Sequence, residues 1–150
     1  MKLTIIAINR DGSIEPPRTK KTSPRIVPGL KHPILLPSAA YCKWEKAAIR
    51  SLLGAGIIGR APGEKPIYGP RYREPIDCPV NCRALIYRDA LRGDAVGFFQ
   101  AIGDFLQLAG IVENDRFIVS WDGSRMLKDS VRPRIEIELS PVGEMQNELF

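Results

Sequence analysis

The 150-residue chain has little of what most catalytic and exported proteins rely on: one histidine, three cysteines and 7% aromatic residues. The single histidine, His32, stands beside Pro33, so Ser–His or Cys–His nucleophilic chemistry would rest on one residue in a proline-flanked segment and is set aside. Cys42, Cys78 and Cys82 are an odd set and are read as reduced thiols rather than a disulfide framework. A tetrahedral zinc site wants four ligands, and the Cys78–Cys82 neighbourhood does not supply them. Cys82 is therefore expected to pack as a small apolar side chain. No apolar run approaches the ~18 residues of a membrane helix. The stretch Leu3 to Ile8 is too short for a signal peptide and meets Arg10-Asp11 at once. These absences predict a cytoplasmic chain without a membrane anchor.

What is present is an ordinary globular composition, 44% hydrophobic and 26% charged, at a length that suits one domain over residues 1–150. The net charge of +5 is unevenly spread. Residues 1–73 carry 14 Lys and Arg against 4 Asp and Glu, whereas residues 74–150 carry 8 against 13. A basic half joined to an acidic half points to a surface that holds a polyanion beside carboxylates that act on it.

Residues 2–8 are short and β-branched and predict a strand. Six prolines between residues 9 and 37 forbid a long helix there, and a short strand fits around Ile34–Leu36. Ser38 is placed to cap a helix in which Tyr41, Trp44, Ala48 and Leu52 share a face, ending at about Leu53 where Gly54 follows. Residues 54–79 contain five Gly and five Pro and read as a long irregular connection. Val80–Arg88 predicts a strand, Leu91–Gly93 a turn, and Asp94 the cap of a second helix. In that helix Phe98, Ile102, Phe105 and Ala109 line one side and Gln100, Asp104 and Gln107 another, with Gly110 closing it. Strands are predicted at Arg116–Trp121 and Arg134–Leu139, the latter with Ile135, Ile137 and Leu139 inward. The expected fold is α+β, a mixed sheet with two main helices. Gly54-Ala55-Gly56-Ile57-Ile58-Gly59 spells a dinucleotide-binding pattern, but a helix precedes it and Pro62 and Pro66 follow, so a helix end and loop is the reading taken.

From Arg88 to Arg134 the chain carries Arg92-Gly93-Asp94, then Phe98-Phe99-Gln100-Ala101-Ile102-Gly103-Asp104-Phe105-Leu106, then Ala109-Gly110-Ile111-Val112-Glu113-Asn114-Asp115-Arg116. Trp121-Asp122-Gly123-Ser124-Arg125, Lys128-Asp129 and Pro133-Arg134-Ile135-Glu136-Ile137 follow. With the basic segment Pro17–Ser23 and the stretch Pro37–Glu45, these residues resemble the RusA-type Holliday-junction resolvases, especially phage and prophage members. The resemblance implies a RusA-like mixed-sheet fold, a homodimer, and Mg²⁺-dependent endonuclease cleavage of branched DNA in recombination and repair. It also implies a site made of an Asp-x-Asp-Asn motif at a helix start, a Lys further along that helix, and an acidic pair before the next strand. Asp94 matches the first Asp and Asp115 the second acidic residue of the pair, and these two are the implied catalytic and metal-holding residues. Val96, Gly97 and Gln100 stand where the family has its second Asp, its Asn and its Lys.

Mg²⁺ is often held by one or two carboxylates with waters completing its octahedron. Glu113 is the first candidate for a further metal ligand and Asp89 the second. Asp104 and Asp122 are too far along a helix and a strand to share an ion with Asp94 and Asp115. DNA phosphates are assigned to the basic half, to Arg18, Lys20, Lys21 and Arg25 and to Arg71 and Arg73 on the long connection, where Tyr68 and Tyr72 could stack on exposed bases. The tail over residues 144–150 ends Gln146-Asn147-Glu148-Leu149-Phe150, which resembles the short peptides that dock on the replicative sliding clamp. Gln146, Leu149 and Phe150 would make that contact. Two other readings stand beside the nuclease: a junction-binding protein that kept the fold and lost the chemistry, and a small RNA-binding domain.

Overall fold

The alternation of Ile135, Ile137 and Leu139 with Glu136 and Glu138 sets out the whole sheet. The computed structural model describes residues 1–20, 25–27, 34–59 and 74–143, with backbone alone at 25–27 and 34–36. In chain order its elements are β1 (Lys2–Ile5), β2 (Ala7–Ile8), β3 (Ile14–Glu15), β4 (Arg25–Val27), β5 (Ile34–Leu36), α1 (Ala39–Gly54), β6 (Val80–Arg88) and α2 (Ala95–Leu108). A 3-10 turn (Asp115–Phe117), β7 (Ile118–Ser120), β8 (Arg125–Lys128) and β9 (Arg134–Pro141) follow. The main sheet runs β1-β9-β6-β7, with β8 also paired to β6. β9 is antiparallel to both β1 and β6, and β7 and β8 are parallel to β6. This is an α+β fold with a mixed sheet and two helices, as expected.

Register puts the apolar residues of three strands in rows. Leu3 and Ala84 both face Ile137, Ile5 and Ile86 both face Ile135, and Cys82 faces Leu139. Because side chains alternate across a sheet, these rows share one side and are buried there. Lys2, Thr4, Arg83, Glu136 and Glu138 take the other side. The helices cover the apolar side, with Tyr41, Trp44, Ala48 and Leu52 from α1 and Phe98, Ile102, Phe105 and Leu106 from α2 in the same core. Trp44 meets Phe105 at a ring separation of 5.1 Å and joins the two helices directly.

Both helix starts obey the sequence: the Tyr41 amide donates to the Ser38 hydroxyl at 3.1 Å, and the Gly97 amide donates to the Asp94 carboxylate. α1 runs one residue beyond the predicted stop, through Gly54. α2 closes where expected, with Gly110 at φ +72° and its amide bonded to the Gln107 carbonyl. Burial pushes the Cys82 thiol up to about 12, in keeping with a packing role. Among the described residues, no helix is long and apolar enough to cross a membrane.

Two predicted strands are cut differently. The 2–8 strand divides at Ile6: β1 joins β9, whereas β2 turns back on β3 through a loop in which Asp11 accepts the amide and hydroxyl of Ser13. The 116–121 strand opens as the 3-10 turn and narrows to β7, because Asn81 of β6 intervenes. Its side-chain oxygen accepts from the Ser120 hydroxyl (2.7 Å) and the Asp122 amide (2.8 Å), and its amide donates to the Asp122 carbonyl. Ser124 adds a second link, accepting from the Ala84 amide and donating to the Cys82 carbonyl. The chain therefore leaves the β6 edge after β7 and rejoins it as β8, a strand the sequence reading missed.

Candidate functional site

α2 gathers the segments that carry the chemistry. Its first turn is capped by Asp94, and a side chain at Gly97 is excluded by that cap: a Cβ there would lie 2.9 Å from Asp94 Oδ1 and 3.6 Å from the methyl of Thr19. Thr19 belongs to the basic segment that follows the β2–β3 hairpin and two prolines, so that segment crosses the start of α2. Lys20, the next residue, pairs with Asp104 further along the helix at 2.9 Å and lies over the Tyr41 ring. The expected phosphate contact Lys20 is thus already engaged by a carboxylate in this conformation.

Asp115 reaches the same helix from the other side. Its amide donates to the Gln107 side chain at 3.0 Å, and Asn114 caps the 3-10 turn by accepting from the Arg116 amide. A Cβ on Gly103 would stand 3.6 Å from the Asp115 Cβ and 4.0 Å from Trp121, so the absence of a side chain at Gly103 lets the turn sit close. Phe99 stacks on Trp121 at 4.7 Å with 8° between the ring planes and fixes this contact. Asp115 is exposed, and its carboxylate makes no hydrogen bond or ion pair with the described residues. Glu113 is exposed two residues earlier, its amide held by the Ile76 carbonyl, and Asp89 is exposed just past β6.

The two implied catalytic acids share a helix without sharing a point. Asp94 sits on Gly97 and Asp115 on Gly103, six residues on, which is about 9 Å of helical rise and about 120° of rotation. Among the described residues, no three His, Cys, Asp or Glu side chains are gathered to hold a metal ion, so Asp94, Asp115 and Glu113 do not form one cluster. Each carboxylate by itself suits a hydrated Mg²⁺, which keeps several of its waters.

Of the remaining expected contacts, Arg18 is half-buried beside the start of α2. Arg25 has its backbone in β4. Lys21, Arg71, Arg73 and the tail residues Gln146, Leu149 and Phe150, like Tyr68 and Tyr72, lie outside the described residues. Two arginines that the sequence reading passed over belong to this neighbourhood. Arg88 donates to the Pro17 carbonyl (3.1 Å) and the Arg92 carbonyl (2.7 Å) and lies over the Phe98 ring. The visible signal was a pair of arginines flanking the turn that leads into the Asp94 cap. Compared with known proteins, the chain matches no family model and no curated protein.

Proposed function

We propose that this chain is a RusA-like domain that acts on branched DNA as a Mg²⁺-dependent endodeoxyribonuclease. One observation supports this reading above the others. The three segments that carry the resemblance, the basic stretch at Arg18–Lys20, the helix start at Asp94 and the Asn114–Asp115 pair, are far apart in sequence and all meet α2. In this reading Asp115 and Asp94 hold metal, and the basic half holds phosphates on either side of a branch. Bound Mg²⁺ would supply an activated water and neutralise charge developing on the phosphate. The protein's own part is to present the exposed Asp115 carboxylate, fixed by the Gln107 bond to its backbone, and the capped helix start. A homodimer, and a tail that docks on the sliding clamp, belong to the same proposal.

A second reading, a junction-binding protein that does not cut, is favoured by Val96 and Gln100 in place of an acid and a base. The deciding experiment incubates a labelled four-way junction with the protein in Mg²⁺ and in EDTA, beside Asp94→Asn and Asp115→Asn. Nicking that needs Mg²⁺ and is lost in both variants is the expected result for the nuclease. A junction that is bound and left intact under every condition overturns cleavage and leaves the binding protein. No preference for the junction over a linear duplex of equal length overturns both.

A further inference from the structure

We propose that Arg18, Arg88 and Arg92 form a phosphate clamp for the DNA backbone at the entrance to α2. The proposal rests on the DNA reading above and adds Arg88 and Arg92 to it. The three come together because the basic segment is tied to the end of β6. Arg88 reaches back to the Pro17 carbonyl, next to Arg18, and forward to the Arg92 carbonyl. Burial lowers the Arg88 pKa below its ordinary value, the charge of Asp89 opposes this, and the charges of Arg18 and Arg92 each lower it further.

Among the described residues, the acids nearby form no ion pair with the three arginines. One oxygen of Asp94 accepts from the Gly97 amide in the α2 cap, and Glu15 pairs with Lys43 and Asn9 while its charge also acts with Arg18. Asp89 is the one carboxylate whose charge acts on Arg88 in the favourable sense. Among the described residues, Arg18 Nε is buried and has no acceptor, and Arg18 and Arg92 form no ion pair. A buried guanidinium nitrogen without an acceptor is costly, and an anion entering between the arginines would satisfy it. Two exposed apolar side chains flank this turn in sequence, Leu91 at 63% and Val96 at 70% solvent-accessible, beside the exposed Asp89, Arg92 and Asp94. Apolar surface beside a phosphate contact suits a sugar and base, which a free phosphate does not carry, and this favours a nucleic acid as the occupant.

The test uses the full chain and fluorescence anisotropy with a labelled four-way junction, a linear DNA duplex and an RNA duplex across a salt series. Arg92→Gln, Arg18→Gln and the double variant are compared with wild type, and Lys46→Gln on the outer face of α1 serves as control. Arg88 is left in place because its two backbone bonds tie segments together, whereas the exposed Arg92 side chain can change without disturbing the fold. Each lost contact should flatten the slope of log K against log salt by about 0.9, and the double variant by about twice that, on both DNA substrates. Wild-type slopes and affinities in the double variant overturn the clamp. A response confined to RNA overturns DNA as its occupant. Inorganic phosphate that shifts the arginine resonances while the variants bind DNA as wild type marks an adventitious ion only and also overturns it. Nicking is followed on the same samples with Asp94→Asn, so a protein that binds through the arginines without cutting separates this proposal from the nuclease reading.

Discussion

α1 and α2 are near equals in length and begin the same way, yet the chain treats them differently. α1 is capped by a serine, buries Tyr41, Trp44, Ala48 and Leu52, and turns charged residues such as Lys43, Lys46 and Arg50 outward. α2 buries its apolar side equally well and is crossed elsewhere by other parts of the chain: Thr19 at Gly97, Lys20 at Asp104, Asp115 at Gly103 and Gln107. The polar side of α1 meets the adjacent β2–β3 hairpin, through Lys43 with Glu15 and Ser51 with the Ile8 amide. A helix whose polar side receives segments from two distant parts of the chain fixes where their side chains go, and that is how α2 becomes the platform of the site.

The largest effect expected within this comparison falls on the junction between the helices. Trp44→Ala removes the ring that meets both Tyr41 and Phe105 in a fully buried position. It should cost about 3–5 kcal/mol, read as a lower midpoint in urea unfolding. Loss below about 1 kcal/mol would mean that the helices are not held by that contact.

A sharper contrast comes from one substitution made in each helix. Gly97→Ala drives a methyl into the Asp94 cap, where 2.9 Å separates it from the carboxylate oxygen, and should destabilise by about 1–2 kcal/mol. Gly54→Ala, at the end of α1, meets nothing within 4 Å and should be neutral or stabilising by up to about 1 kcal/mol. Equal effects at the two sites, read by thermal unfolding, would erase the distinction drawn here.

The smallest effect is at the hairpin that leads the basic segment toward α2. The Lys43 ammonium and the Asn9 amide hold the Glu15 carboxyl below its ordinary value near 4.5. A carboxyl whose folded pKa is depressed adds stability above its unfolded pKa and loses it as pH falls through the folded one. Lys43→Ala should therefore be less stable than wild type at neutral pH by no more than about 1 kcal/mol. The gap should close as the pH falls below the ordinary Glu value, and a gap that persists in acid would show that the pair contributes through packing instead.

Much of the scaffold was legible because it depends on neighbours in sequence. Ser38 and Asp94 are short polar side chains that satisfy amides three residues ahead, and Gly110 takes a left-handed turn that suits few other residues. The period of two in Arg134–Leu139 needs only a buried side and an exposed one. The breaks were not legible. Ile6 looks like any strand residue, and only the return of β3 onto β2 divides it from β1. Nothing in Phe117–Trp121 announces that Asn81, far away on β6, will turn the chain out and make room for β8.

The candidate site divides along the same line. The sequence by itself determined that Asp94 stands at a helix start, that Asp115 opens the segment after that helix, and that the basic residues collect in the first half. Each follows from residue type and near spacing. Only the tertiary structure decided that Asp115 meets α2 at Gly103 rather than at the cap, that Lys20 is drawn to Asp104, and that Arg88 and Arg92 stand with Arg18. Those placements come from side chains absent at Gly97 and Gly103 and from side-chain bonds to backbone between segments more than 70 residues apart, as from the Arg88 guanidinium to the Pro17 carbonyl. Local chemistry fixes which groups are available, and only long-range packing fixes which of them meet.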